Sequence, residues 1–226
     1  MKLSKRLKAL ANCVPHQAKV IDIGCDHGLL GIYLVKNKLV SNMIISDISE
    51  AALNQAKRNI TKYNLINKIK VQQGDGLAVI DYDCNIDTII IAGLGGQTII
   101  DILTKNQSFL LPIKNIILQP QNNVYCVRQK ITKLGYFISY EELIKENEHI
   151  YTLIVFNKGK QRYSYYKLYF GPYLLQHQSQ LFNELYQHKL DKIKKICKQI
   201  PPRYLFKKLW LLRKIIMIKR TLSSHK

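Results

Sequence analysis

The sequence is poor in acidic residues: 15 Asp and Glu stand against 35 Lys and Arg, a net charge of +20. Cysteine is scarce and unpatterned. The five residues, Cys13, Cys25, Cys84, Cys126 and Cys197, form no CxxC pair, and their number is odd. A disulfide framework and a zinc site are both disfavoured, and reduced thiols in a cytoplasmic protein are expected. Proline and glycine are sparse, with 6 and 11 residues, and no repeat or low-complexity tract is present. No apolar run reaches the roughly 18 residues of a membrane span. The N-terminal MKLSKRLKALANCV lacks the continuous apolar core of a signal peptide.

What is present is a foldable chain. Its 226 residues are 47% hydrophobic, enough for one medium domain with an appendage or for two small domains. Short apolar runs alternate with helical patterns. Helices are expected at 4–13, from 29 to 36, at 49–63 with Ser49 as N-cap, from the glycines after 92 through Leu103, and at 124–133. Strands are expected at 19–24, 42–47, 68–73, 86–92, 115–119, 137–142 and 151–156. Continuous apolar strands such as DTIIIAG, separated by helices, indicate a parallel sheet covered on both faces. The last two strands follow each other closely, which suits antiparallel pairing at one edge. The expected architecture is a doubly wound, Rossmann-like α/β domain over residues 1–157.

The basic residues are unevenly spread. Lysine dominates them, 28 to 7 over arginine, and Ile, Asn and Tyr are abundant, a bias that an AT-rich genome can produce. Distribution is therefore more informative than total. Residues 158–226 carry a net +15, whereas the first 157 carry +5. A basic segment of that kind suits a polyanion, most simply a nucleic acid, or else only a solvated lysine-rich face. Residues 158–172 read as a linker or docking loop, and a helical pattern follows. Tyr186, Leu190, Ile193, Cys197 and Ile200 recur at coiled-coil spacing, Pro201-Pro202 interrupts, and Leu205, Leu209, Leu212 and Ile216 resume it. A helical hairpin arm is expected, with Lys189, Lys192 and Lys195 on its outer face.

One loop is chemically specific. VIDIGCDHGLLG, residues 20–31, runs from strand to turn to helix like a phosphate loop, but Asp26 stands where the middle glycine of G-x-G-x-x-G belongs. Two like charges 4 Å apart cost roughly 4 kcal/mol at an effective dielectric near 20, so a pyrophosphate is a poor ligand. A cationic, phosphate-free ligand fits better. S-adenosylmethionine has an ammonium for Asp22 and Asp26 and a carboxylate for the helix amides after Gly24. Asp47 ends the second strand at about the distance where an acidic residue reaches ribose hydroxyls, although capping a helix is its ordinary use. Gly74-Asp75-Gly76 is a common turn sequence that can also receive the adenine amino group. Ala92-Gly93-Leu94-Gly95-Gly96 lets two ligands approach the backbone together, or is merely a flexible turn.

Taken in order, DIGCDHGLL, GDGL, AGLGG and LQPQ, with the N-terminal LSKRL, Gly171-Pro172 and the helical arm, resemble the bacterial tRNA adenine-22 N1-methyltransferases, the TrmK family. The resemblance implies a seven-strand methyltransferase fold with S-adenosylmethionine as cofactor and tRNA as partner. On the cofactor side it places Asp22, Gly24, Cys25, Asp26, Asp47, Ile48, Gly74, Asp75, Gly76, Ala92, Gly93, Leu94 and Gly95. At the substrate side it places Arg6, Gly96, His27, Gln119 and Pro120, the last three nearest the chemistry, with Lys189, Lys192 and Lys195 for tRNA. Neither a metal nor a membrane is implied, and a monomer is expected. The chain departs from the family pattern at Leu94, where Met is usual, in GLLG after His27, and in ENEHIYTL at 146–153, which lacks an acidic-Gly step.

Adenine N1 carries its own lone pair, so methyl transfer needs alignment and exclusion of water rather than a strong base. Gln119, Pro120, Gln121 and Asn122 can offer amides to the adenine edge, or the proline simply ends a strand. His27 can touch substrate or pack the loop. Two other readings stay open: a non-catalytic RNA-binding protein on this fold, and a methyltransferase of another nucleic acid or a small molecule.

Overall fold

β1 (Val20–Ile23), β2 (Met43–Asp47), β3 (Ile69–Gln73), β4 (Thr88–Ala92) and β5 (Asn115–Gln119) are short, and the central β1 and β4 are rich in β-branched residues. All five pair in parallel, with α-helices returning the chain from β1 to β2, from β2 to β3 and from β4 to β5. The intervening helices are α2 (Leu29–Lys36), α3 (Glu50–Lys62) and α4 (Gly96–Lys105). After α5 (Val124–Lys133) come two long strands, β6 (Tyr136–Glu146) and β7 (His149–Lys158). They form an antiparallel hairpin whose β7 inserts against β5, giving the order β3-β2-β1-β4-β5-β7-β6. The protein is represented by a computed structural model that describes residues 3–79, 85–105 and 107–224. Cys84, one of the five thiols, lies outside them.

Side chains alternate along the strands even where every position is buried. Val20, Ile90 and Ile117 face one layer with α1 (Lys5–Asn12) and α2, while Ile21, Ile89, Ile91 and Ile116 face the other with α4 and α5. Local chemistry sets the helix starts: Ser4 accepts from the Leu7 amide and Ser49 from the Ala52 amide, each at 3.3 Å.

Two compact units result, Met1–Tyr173 and Leu174–Lys226. The division falls later than the composition change after Asn157, so residues 158–173 belong with the sheet. Part of that segment, expected as a loop, is a helix, α6 (Tyr165–Phe170), with Ser164 accepting from the Lys167 amide. A buried ion pair holds it. Arg128 Nε donates to Glu141 Oε1 at 2.6 Å, and Arg128 Nη1 donates to the Leu168 and Tyr169 carbonyls at 3.1 and 3.3 Å. Glu141 Oε2 accepts from the Tyr173 amide at 3.2 Å. Gly171, at φ +100°, passes so close that a Cβ would stand 2.6 Å from Arg128 Nη2. Only glycine fits there.

In the second unit, α8 (Gln180–Gln199) and α9 (Leu205–Ser223) follow the short α7 (Pro172–Gln176). A 3₁₀ turn at Pro202–Tyr204 joins α8 to α9. The short turn folds α9 back along α8, and the two helices line a common groove, with Asp191, Lys194, Lys195 and Lys198 from one and Lys208, Leu212 and Ile215 from the other. α8 buries Phe182, Tyr186, Leu190 and Cys197, close to the expected seam. α9 corrects its half of that seam. The stripe Leu205, Leu209, Leu212, Ile216 is exposed, and Leu211, Ile215 and Ile218 are buried instead. α9 carries two apolar stripes of the same spacing, and the entry from the proline turn selects one. Periodicity alone cannot make that choice.

Candidate functional site

The site is built at the C-terminal ends of the parallel strands. There the chain leaves β1 for β2 on one side, while β4 lies on the other, the switch point at which open α/β sheets bind ligands. β1 ends in the loop 24–28. Gly24, at φ +75°, donates its amide to the Ser46 carbonyl at 2.8 Å, and the Cys25 amide does so at 3.2 Å. A Cβ on Gly24 would meet the Leu94 side chain at 3.2 Å, so the turn after β1 and the turn after β4 touch. Asp26 takes φ +49° and is exposed, with His27 Nε2 3.5 Å from its Oδ1. Asn59 Nδ2 donates to the His27 carbonyl at 2.9 Å and ties the loop to α3. Gly28 starts α2 without a side-chain cap, leaving the first turn to other acceptors.

Three carboxylates crown neighbouring strands. Asp22 is buried in β1, and burial, reinforced by the charge of Asp47, pushes its carboxyl up to about 7. Asp47 ends β2, where its Oδ1 accepts from the Ser49 amide at 2.9 Å, so it is part of the entry to α3. Ile48 beside it is exposed, 71%. Gln73 Nε2, at the end of β3, donates to the Ile48 carbonyl at 3.3 Å. Asp75 follows β3 between Gly74 and Gly76 and pairs with Lys105 Nζ at 2.5 Å. Gly74 has no room for a side chain, since a Cβ would lie 2.4 Å from Val79 Cγ1. The Cys25 thiol is buried and pushed far up by desolvation, then by Asp22, which makes it inert packing.

Beyond β4 and β5 two turns are stitched together. The Gly93 amide donates to the Gln119 carbonyl at 3.0 Å and the Gln121 amide to the Leu94 carbonyl at 2.9 Å. Gln121 Nε2 donates to the Gly93 carbonyl at 2.6 Å, and the Gly96 amide to Asn122 Oδ1 at 3.0 Å. Gln121 thus commits its amide nitrogen, and Asn122 its amide oxygen, to the glycine turn. Gln119 is fully buried, and its Oε1 accepts from Arg6 Nη1 at 2.7 Å. Pro120 is buried beside it. Gly96 is buried at the start of α4, where a Cβ would fall 2.4 Å from the Asn122 carbonyl oxygen. Arg6, on α1, is further held by Glu146, with the Arg6 amide 3.3 Å from Oε1, and lies over the Tyr151 ring at 5.5 Å.

Arg6, Leu7, Asp22, Gly24, Asp26, His27 and Ala92 surround one cavity of about 70 Å³. Enclosed ligand sites run to hundreds of Å³, so a ligand of nucleoside size would place one end here and extend across Asp47 and Asp75. Larger hollows lie elsewhere, and the two at the N-terminal strand ends and between α8 and α9 gather no comparable chemistry. The structure therefore brings Arg6, Asp22, Gly24, Cys25, Asp26, His27, Ala92 and Gln119 into one neighbourhood. Lys189, Lys192 and Lys195 lie in the second unit, where Lys189 Nζ sits 4.6 Å from the Tyr186 ring centroid. Sequence reasoning missed the holders Glu146, Tyr151 and Lys105. Only the charge of Glu146 hinted at a role, and its proximity to Arg6 spans 140 residues of chain. Among the described residues no group of three or more His, Cys, Asp or Glu could hold a metal ion, and no helix is long and apolar enough to cross a membrane.

Sheet order, the antiparallel seventh strand and an acidic switch point together define a Rossmann-like methyltransferase. The family profile of TrmK, tRNA (adenine(22)-N(1))-methyltransferase, matches residues 20–220. The tRNA (adenine(22)-N(1))-methyltransferase of Bacillus subtilis strain 168 is 32% identical over 206 residues, 88% of this chain and 86% of the relative. The crystal structure of the B. subtilis m1A22 tRNA methyltransferase TrmK superposes with a TM-score of 0.91 at 29% identity, covering 98% of this chain and 99% of that one. M. capricolum TrmK, solved with S-adenosyl-homocysteine, gives 0.89 at 31% identity over 98% of each chain. The chain belongs to the tRNA (adenine(22)-N(1))-methyltransferase family.

Proposed function

We propose that this protein transfers the methyl group of S-adenosylmethionine to N1 of adenine 22 in tRNA. The observation that carries the reading is the buried Asp22 at the β1–β4 switch point, beside a loop whose Asp26 repels phosphate. A cation is the natural partner of a carboxyl held neutral by burial, and the cofactor's ammonium supplies one. The chemistry of the donor set therefore fits the cofactor. Asp22 and Asp26 hold the ammonium, and the uncapped first turn of α2 receives the carboxylate. Asp47 binds ribose through the oxygen not used by Ser49. Asp75, Gly74 and Gly76 border the adenine, and Ala92 to Gly95 flank the reacting methyl. When bound, the cofactor supplies the electrophilic methyl.

Gln119, His27 and Pro120 shape the place of the target base. Arg6 takes the Gln119 side-chain oxygen and one amide hydrogen goes to the Pro120 carbonyl at 3.4 Å, so the second amide hydrogen donates to an adenine ring nitrogen other than N1. N1 then attacks with its own lone pair. The basic helical arm, with Lys189, Lys192 and Lys195, holds tRNA through phosphates. The enzyme acts as a monomer in the cytoplasm, where its thiols stay reduced. Tritium transfer from labelled cofactor to tRNA carrying adenine 22 tests the reaction. Transfer is expected, with a strong loss in Asp26→Ala, while an inert wild-type protein would leave only RNA binding.

A further inference from the structure

An aromatic cluster borders the stitched turns and has no part in the chemistry above. Tyr125 is the second residue of α5, three residues after Asn122. Its ring centroid lies 5.2 Å from that of Tyr165 and 6.4 Å from that of Tyr169. Tyr165 and Tyr169, one turn apart on α6, stack at 5.9 Å with their planes 29° apart. Tyr165 is 46% exposed, so one ring of the cluster offers its surface to solvent.

The cluster continues into a basic cleft. Tyr125, Gln129 and Thr132 share one face of α5 at i, i+4 and i+7, and Gln129 Nε2 donates to the Tyr125 hydroxyl at 3.0 Å. Thr132 then lines a cleft of about 370 Å³ with Lys133, Gly135, Lys160, Gln161 and Arg162. The segment from Lys160 to Tyr169 brings Lys160 and Arg162 to the cleft and Tyr165 and Tyr169 to Tyr125. No carboxylate lines the cleft, and among the described residues Lys133, Lys160 and Arg162 form no ion pair. Three cations without counter-charges attract a polyanion. Partly exposed rings at one end of such a track suit unstacked bases, which every nucleobase can satisfy through its π-face.

We propose that the face formed by α5 and residues 160–169 is a track for an unpaired stretch of the tRNA. A base next to the target stacks on Tyr165, and following phosphates pair with Lys133, Lys160 and Arg162. This rests on the tRNA reading above and adds a second contact surface, within the first unit. A stacked neighbour would hold the strand open while the target base is extruded.

The test uses the full chain, a tRNA transcript with adenine 22 and an RNA duplex of equal length, with Kd followed across a salt series. Tyr165→Ala should raise the Kd for tRNA about tenfold while Tyr165→Phe stays within about twofold, because stacking needs the ring and not the hydroxyl. Neither should alter duplex binding. The triple variant Lys133→Ala, Lys160→Ala, Arg162→Ala should reduce the slope of log affinity against log salt by about 2, from roughly 0.7 per lost single-strand phosphate contact. Cofactor affinity should remain as in wild type and reports folding. If Tyr165→Ala loses cofactor binding, the all-surface triple variant decides. Wild-type tRNA affinity and salt slope in that variant, or an equal loss on the duplex in Tyr165→Ala, overturn the track while leaving methyl transfer intact. Absent methyl transfer by wild type, with the variant effects present, would instead overturn the enzymatic reading.

Discussion

Replacing Asp22 by Asn should stabilise the cofactor-free protein and cripple cofactor binding, and both effects should depend on pH. Burial, with help from Asp47, lifts the Asp22 carboxyl from an ordinary 3.8 to about 7. Between those values the native state keeps a proton that the unfolded chain has released, so stability falls as pH rises. At pH 8 the side chain is ionised in both states, and the accumulated cost is about three pKa units, or roughly 4 kcal/mol. The amide in Asp22→Asn never ionises, so the variant should gain on wild type between pH 5 and pH 8, mostly within that window. Ligand binding runs the other way. An ammonium beside Asp22 favours the carboxylate, so wild-type affinity should climb by up to about tenfold per pH unit below 7 and level off above it. The Asp22→Asn variant should bind weakly, with a flat profile. Urea unfolding at both pH values and calorimetry with S-adenosylmethionine across the range measure the two effects. A stability difference independent of pH, or undiminished cofactor affinity in the variant, would refute the reasoning.

Three further outcomes are expected. Arg128→Ala strips the guanidinium from the buried Glu141 carboxylate and the Leu168 and Tyr169 carbonyls, and should lower unfolding free energy by about 3–5 kcal/mol in denaturant titrations. Gly96→Ala drives a methyl into the Asn122 carbonyl and should cost about 1–3 kcal/mol while slowing methyl transfer, as the two stitched turns are forced apart. Truncation after Tyr173, which keeps the amide that Glu141 accepts, should leave cofactor binding intact but weaken tRNA binding and flatten its salt dependence. Loss of cofactor binding in that fragment would place the arm within the core.

Much of the sheet was legible because apolar runs and helix caps are local signals. β5 and α5 fall at their expected bounds, and Ser49 caps α3 as its spacing predicts. The antiparallel edge pair followed from a short connection. Composition misled after Asn157, since it records what a segment contains and not what it touches. Residues 158–173 are basic and tyrosine-rich, yet they are bound to the sheet through a buried Arg128 and Glu141 that no local pattern singles out. Of the site, the loop 24–28, Asp47, Asp75 and the glycine turn were visible as motifs at strand ends. The partners that orient them were not.

Sequence by itself carried the charge argument at the switch point, because Asp26 in a would-be phosphate loop disfavours a pyrophosphate whatever the fold. It also determined the order of strands and helices, through periodicity. Tertiary structure alone decided which of two apolar stripes α9 buries and which carbonyls Arg128 satisfies. It also decided that Arg6, 113 residues from Gln119, takes that amide's oxygen. Those outcomes rest on contacts between distant segments, whose geometry exists only once the sheet has brought the strand ends to one edge.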